Sequence, residues 1–469
     1  MAADPSPVAP CDAVPVVPAD DLFEPIFTTD GLCAATSDDA WLGAMLEFES
    51  ELAAMQADLG LAPRAAADAI ARATAVVRRD AGALGRRARL TGTPVAALVA
   101  DLEQAAGTEA AGWVHFGATS QDVIATAAML VARRASALVL DELDRAADAC
   151  ARCARAHRDT LMVGRTLLQP ALPITFGLKA AGWLDELLAA RASLGRLRET
   201  RLALQLGGAA GTLASLGHLG PAVSARLAAR LGLAEPLLPW HTSRSRIAEL
   251  ASALGLTAGV ADRIGLDVAL LMQGEVAEAF EPATFGGGSS TMPHKRNPVG
   301  AVSVNAAARR AIGLVGVLFQ AMHQEHERAA GAWQAEWQPL GELLRLAGGA
   351  VARVADILAG IEVDAARMAE NLAATGGGLC AERVMLALAP DLGRAVAHRV
   401  VEDAARGRGR GTGFADALLA RGEVAARLTR EQVLELLDPV GNLGSARHYV
   451  DRVLAERAER YGKGADERP

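Results

Sequence analysis

Apolar residues recur along this chain at the spacing of an α-helix. Between 37 and 60, Trp41, Met45, Phe48, Leu52, Met55 and Leu59 step by 4, 3, 4, 3 and 4, which lines them on one helical face. Ser37 or Asp38 can accept bonds from the first free amides, and Gly60 followed by Pro63 ends the pattern. The same rhythm returns over 122–157, 178–204, 244–280 and 300–328. A long helix with one apolar stripe cannot bury it alone. The pattern therefore predicts a bundle of long helices, continued across subunits. Alternating strand and helix patterns are absent, which argues against a Rossmann sheet, and no solenoid repeat is found.

The expected fold is all-α, a three-domain subunit with a central bundle of long helices. Residues 1–24, rich in Ala, Pro and Asp, read as a loose extension. Residues 25–110 read as an N-terminal helical domain, 111–360 as the long-helix domain, and 361–469 as a C-terminal helical domain.

Composition adds exclusions. Aromatics make up only 4% of the 469 residues, which favours helix over strand. The 47 Lys and Arg against 55 Asp and Glu leave a net charge of −8, so no diffuse basic surface for nucleic acid is expected. A polyanionic substrate would need a focused cationic pocket instead. Five cysteines cannot form a disulfide scaffold, and reduced thiols in a cytoplasm are the plain reading. No run of 18 apolar residues suggests a membrane span, and residues 1–24 lack the pattern of a signal peptide. Cys150, Cys153 and His157 share a helix face and could bind zinc, but with no fourth ligand nearby, thiols packed inside a bundle are the simpler reading. The Arg-Gly alternation from Arg406 reads as a solvated loop, because no strand precedes it.

The richest segment is Gly286-Gly-Gly-Ser-Ser-Thr-Met-Pro-His-Lys-Arg-Asn-Pro298. Its glycines permit movement and its two prolines fix the second half. Such a loop can close a site and deliver a serine beside a cation. This segment resembles the signature loop of the fumarase/aspartase superfamily. Three further stretches carry the resemblance: Val114-His-Phe-Gly-Ala-Thr-Ser-Gln-Asp122; Gly164-Arg-Thr-Leu-Leu-Gln-Pro-Ala-Leu-Pro-Ile-Thr-Phe-Gly177; and Trp240-His-Thr-Ser-Arg-Ser-Arg246 with His326-Glu-Arg328 and Trp333 to Trp337. The last group, with Phe176 to Trp183 and Gly207 to Thr212, is most similar to the 3-carboxy-cis,cis-muconate cycloisomerase branch.

The resemblance implies a β-elimination on a small polycarboxylate. A base removes a proton beside a carboxylate, charge spreads into that carboxylate, and a group leaves the neighbouring carbon. By motif match the catalytic pair is Ser289 as base and Lys295, which could lower the serine's pKa and grip the carboxylate together with Asn297. Thr119, Ser120, His115, Gln169, Arg244 and Arg328 are the implied substrate-binding residues. Thr119 and Ser120 also read as the N-cap of a long helix, itself an anion site. The family further implies a homotetramer with active sites shared between subunits, and neither metal nor organic cofactor.

One departure bears on the substrate. Fumarase and the argininosuccinate and adenylosuccinate lyases carry histidine after Gly-Arg-Thr, linked to protonating the leaving group. Here that residue is Leu167. Leucine donates no proton, so a weakly basic leaving group is expected. Nitrosuccinate, which releases nitrite and fumarate, is preferred narrowly. The lactone–muconate cycloisomerisation follows closely, then an aspartase-like ammonia release. A crystallin-like structural protein of the same fold is the non-enzymatic alternative.

Overall fold

The computed structural model describes residues 22–288, 291–292, 295–407 and 413–462. The first predicted stripe forms α1 (Asp38–Asp58), with the Ser37 hydroxyl accepting from the Ala40 amide at 3.2 Å. Phe48 and Leu52 on its stripe are fully buried. A shorter helix, α2 (Val95–Ala106), packs in the same N-terminal region. The other patterns become α3 (Ser120–Ala156), α4 (Phe176–Thr200), α5 (Ser245–Leu271) and α6 (Val299–Gln320), joined by α7 (Trp337–Ala359).

These five long helices run alternately up and down. At 1.5 Å per residue, the 37 residues of α3 span about 55 Å and the 27 of α5 about 40 Å. Gln121, at the start of α3, donates to the His241 carbonyl at 2.7 Å, just before α5 begins. The Thr119 hydroxyl accepts from Arg328 at 2.9 Å, shortly after α6 ends. One end of the bundle therefore gathers the starts of α3, α5 and α7 with the exits of α4 and α6. The opposite end gathers the exits of α3, α5 and α7.

A small antiparallel hairpin stands at that second end, formed by β1 (Leu161–Thr166) and β2 (Gln169–Thr175). A second pair joins Ala279–Phe280 to Glu362–Val363. The chain is mainly helical as expected, and these short pairs are additions that helical periodicity could not reveal. One continuous core joins residues 25–110 to the long helices and takes in Met368 and Val450. A separate small core forms around Val384, Leu388, Phe414 and Val433.

The membrane expectation needs amending. By length and composition α3 and α6 are each apolar enough to cross a bilayer. The relevant stretch of α3 is 72% buried in the bundle, whereas that of α6 is only 28% buried. Val302, Ile312, Val317 and Phe319 remain exposed along α6. Alanine and glycine raise the apolarity of these helices without forming unbroken runs of large residues. Cys150 and Cys153 are buried, and the Cys150 thiol donates to the Ala180 carbonyl at 3.0 Å. Burial pushes the Cys153 thiol up to about 12. Among the described residues, no group of three or more His, Cys, Asp or Glu side chains is arranged to hold a metal.

Candidate active site

The first bundle end is organised by one carboxylate. Asp122, in the first turn of α3, is fully buried. It accepts from the Thr119 amide at 3.1 Å, the Gln205 side chain at 2.9 Å, the Gly207 and Gly208 amides at 3.0 and 2.9 Å, and bonds His241 Nε2 at 3.0 Å. Three distant motif stretches are thus tied to a single side chain. A Cβ on Gly207 would lie 2.7 Å from the His241 ring, so only glycine admits this approach. The half-buried Thr119 and Ser120 stand at the positive start of α3. Arg328 bonds the Thr119 hydroxyl and also the carbonyl of Ala209 at 2.9 Å. His115 lies on the turn leading into α3, with φ of 58° and Nδ1 2.6 Å from Glu49 of α1.

Arg244, implied to bind substrate, is already engaged within the subunit. It is buried, and its Nε and Nη2 hold Glu336 at 2.9 and 2.5 Å. Its guanidinium also lies 4.7 Å from the Trp240 ring. Within the subunit its bidentate edge is already filled, because a buried cation requires a counter-charge.

The second bundle end holds the loop residues. A cavity of about 400 Å³ is lined by Met272, Glu281, Phe285, Gly287, Lys295 and Asn297. Ser289 lies outside the described residues. The legs of its loop are clipped together: Gly288 bridges Arg296, and the Asn297 amide donates to the Gly287 carbonyl at 2.8 Å. Any Cβ on Gly287 would collide with the Asn297 carbonyl oxygen. Arg296 bonds Glu362 at 2.8 Å and the Glu281 carbonyl at 2.7 Å, and its hydrogen bond holds the Glu362 carboxyl below the usual range. The buried Glu281 carboxylate accepts from the Gly300 amide at 3.0 Å and caps α6. These ties fix the second leg, from which the exposed Lys295 projects beside half-buried Asn297.

Gln169 is exposed on the hairpin, at this same end. The hairpin is anchored by Arg165, which grips the fully buried Glu278 at 2.7 and 2.8 Å. Its two-residue tip is Leu167 and Leu168, with φ of 51° and 63°. They are 97% and 74% exposed, so an apolar tip projects outward in a conformation that favours glycine or asparagine.

The expected site residues therefore fall into two sets. His115, Thr119, Ser120, Arg244 and Arg328 share one end, while Gln169, Lys295 and Asn297 share the other. The five helices separate the sets by the bundle's length. Sequence reasoning missed Glu49, Asp122, Gln205, His241, Glu281 and Glu336 as supports. Asp122 had a signal, since Thr119-x-x-Asp122 has capping-box spacing. The others are polar residues in apolar surroundings whose partners are remote in sequence.

One helical bundle thus presents hydroxyls at a helix start and an ammonium on a glycine-rich loop, and the comparisons give its class as a lyase. Residues 24–313 match the family described as Lyase, and residues 377–453 match the adenylosuccinate lyase C-terminus. The 3-carboxy-cis,cis-muconate cycloisomerase of Bradyrhizobium diazoefficiens is 46% identical over 439 residues, covering 92% of this chain and 97% of the relative. Nitrosuccinate lyase of Streptomyces davaonensis is 46% identical over 446 residues, covering 92% and 94%. A crystal structure of 3-carboxy-cis,cis-muconate lactonizing enzyme from Pseudomonas putida superposes with a TM-score of 0.87 at 43% identity, covering 93% of this chain and 99% of that one. The chain belongs to the fumarase/aspartase superfamily of lyases. It is an enzyme of that class, which sets aside the crystallin-like alternative.

Proposed function

We propose that this enzyme interconverts a carboxylated muconolactone and 3-carboxy-cis,cis-muconate. The observation that carries this reading is the end-to-end match to cycloisomerases in both sequence and fold. In the ring-opening direction, Ser289 takes the proton from the carbon beside a carboxylate. The electron pair forms the new carbon–carbon double bond, and the lactone C–O bond breaks. The ring oxygen departs as a carboxylate, which needs no proton donor and so suits Leu167. Lys295 and Asn297 stabilise the charge that builds on the activated carboxylate. Thr119 and Ser120, at the start of α3, hold another carboxylate of the substrate.

The reaction requires both bundle ends at one substrate. Copies of the chain packed antiparallel would bring one copy's Thr119 end beside another's Lys295 end. The exposed apolar face of α6 supplies a surface for that packing, and a homotetramer with shared sites is the assembly we propose.

Nitrosuccinate is the second reading. The Streptomyces relative has the same percentage identity, and nitrite is also a weak base. The sequence preferred it narrowly. It moves to second place because the cycloisomerase match covers slightly more of the relative and is joined by a crystal structure. Incubation with each substrate decides between them. We expect a change in diene absorbance with the lactone or muconate and no release of a second product. Faster formation of fumarate and nitrite from nitrosuccinate would overturn the order.

A further inference from the structure

We infer that Glu49 is a positioning residue of this active site: from α1 it holds the His115 ring by its Nδ1 edge, so that the Nε2 edge serves the carboxylate subsite at Thr119 and Ser120. The inference rests on the carboxylate chemistry proposed above and extends the site into the N-terminal helices, where no motif pointed.

The geometry has five parts. Glu49 is 2% exposed, and its Oε1 lies 2.6 Å from His115 Nδ1, a separation typical of charge-assisted bonds. Its Oε2 is buried and has no hydrogen-bond partner among the described residues. A buried carboxylate in that state is costly unless the ring beside it is cationic. His115 is strained in the left-handed region at φ of 58°, where a non-glycine residue persists only if its surroundings hold it. The turn is gripped from α1 a second time, because the Gln56 side chain donates to the Phe116 carbonyl at 2.6 Å. Finally, the Ala118 amide donates to the His115 carbonyl at 3.2 Å, folding His115 back toward the start of α3.

Carboxylates act on the ring from three helices. Glu49 belongs to α1, Glu103 to α2 and Asp122 to α3, while Arg328 lies beyond on the Thr119 hydroxyl. Burial is the largest single influence and favours neutral imidazole. The Glu49 hydrogen bond and charge, helped by Asp122 and Glu103, outweigh it and raise the His115 pKa above its usual value. The cation is then present at low pH and is lost as pH rises through the raised value. Removing the Glu49 charge moves that loss to lower pH.

The test is Glu49→Gln. The pH dependence of diethyl pyrocarbonate reaction at His115, followed by peptide mass spectrometry, reports ring ionisation without substrate. We expect its inflection to move to lower pH, and the alkaline limb of kcat/KM to move with it. We also expect KM to rise on the order of tenfold, with a smaller change in kcat. In a His115→Gln background, Glu49→Gln should have no further effect on KM. An unmoved inflection would overturn the inference, as would an equal loss in both backgrounds. A merely structural tie would lower stability without moving the limb, and that result also counts against it. If the wild-type chain turned over neither lactone nor nitrosuccinate, the proposed function would fall, while the His115 inflection would still decide whether Glu49 controls the ring.

Discussion

Lys295→Met should lower kcat/KM by about 10²–10³-fold, the range seen when one preorganised donor to developing charge is removed. The proposed substrate is a weak carbon acid. Its barrier falls only if the new negative charge meets a fixed cation as it forms. Lys295 is the described loop's candidate for that cation, carried on a leg clipped by Gly288, Arg296, Glu281 and Glu362. It is exposed in the single subunit, so its loss should leave the subunit fold unchanged. Steady-state kinetics, with size-exclusion chromatography as the control, measure this. A loss below tenfold would remove Lys295 from the charge-stabilising role.

Asp122→Ala should have the larger structural effect, destabilising the subunit by about 3–5 kcal/mol, as expected when one partner of a buried charge network is removed. The substitution leaves the Gly207 and Gly208 amides, the Gln205 amide group and His241 with no acceptor at that point. It also frees the Thr119 amide, so the anion site should loosen along with the fold. A shifted urea unfolding midpoint reports the first effect and a raised KM the second. An unchanged midpoint would show that the five bonds are dispensable.

The long helices were legible because burial on one face writes a 3.6-residue period into the chain. The pattern read over 37–60 and the helix α1 it forms, Asp38–Asp58, agree within two residues at the ends. The hairpin was not legible. Its strands are short and carry Pro170 and Pro173, and its tip uses leucines where asparagine or glycine would have signalled a turn. The motif residues were legible as types but not as places. Thr119 and Lys295, to which we assign one chemistry, sit at opposite bundle ends, because the connecting helices are long and alternate in direction. Arg244 read only as a substrate-binding residue because its partner Glu336 lies 92 residues away. Glu49 was silent for a related reason: a polar residue beside an apolar stripe gives no hint of the histidine turn it will meet.

The central claim is that two half-sites, separated by the length of the bundle, work only when different subunits supply them. Mixing subunits tests it most directly. One variant carries Thr119→Ala with Ser120→Ala, and the other carries Lys295→Met. Each alone should be nearly inactive. Dissociated, mixed equally and reassembled, they should recover about a quarter of wild-type activity, the share of sites that draw an intact half from each parent. Reassembled mixtures no more active than either parent would contradict the account.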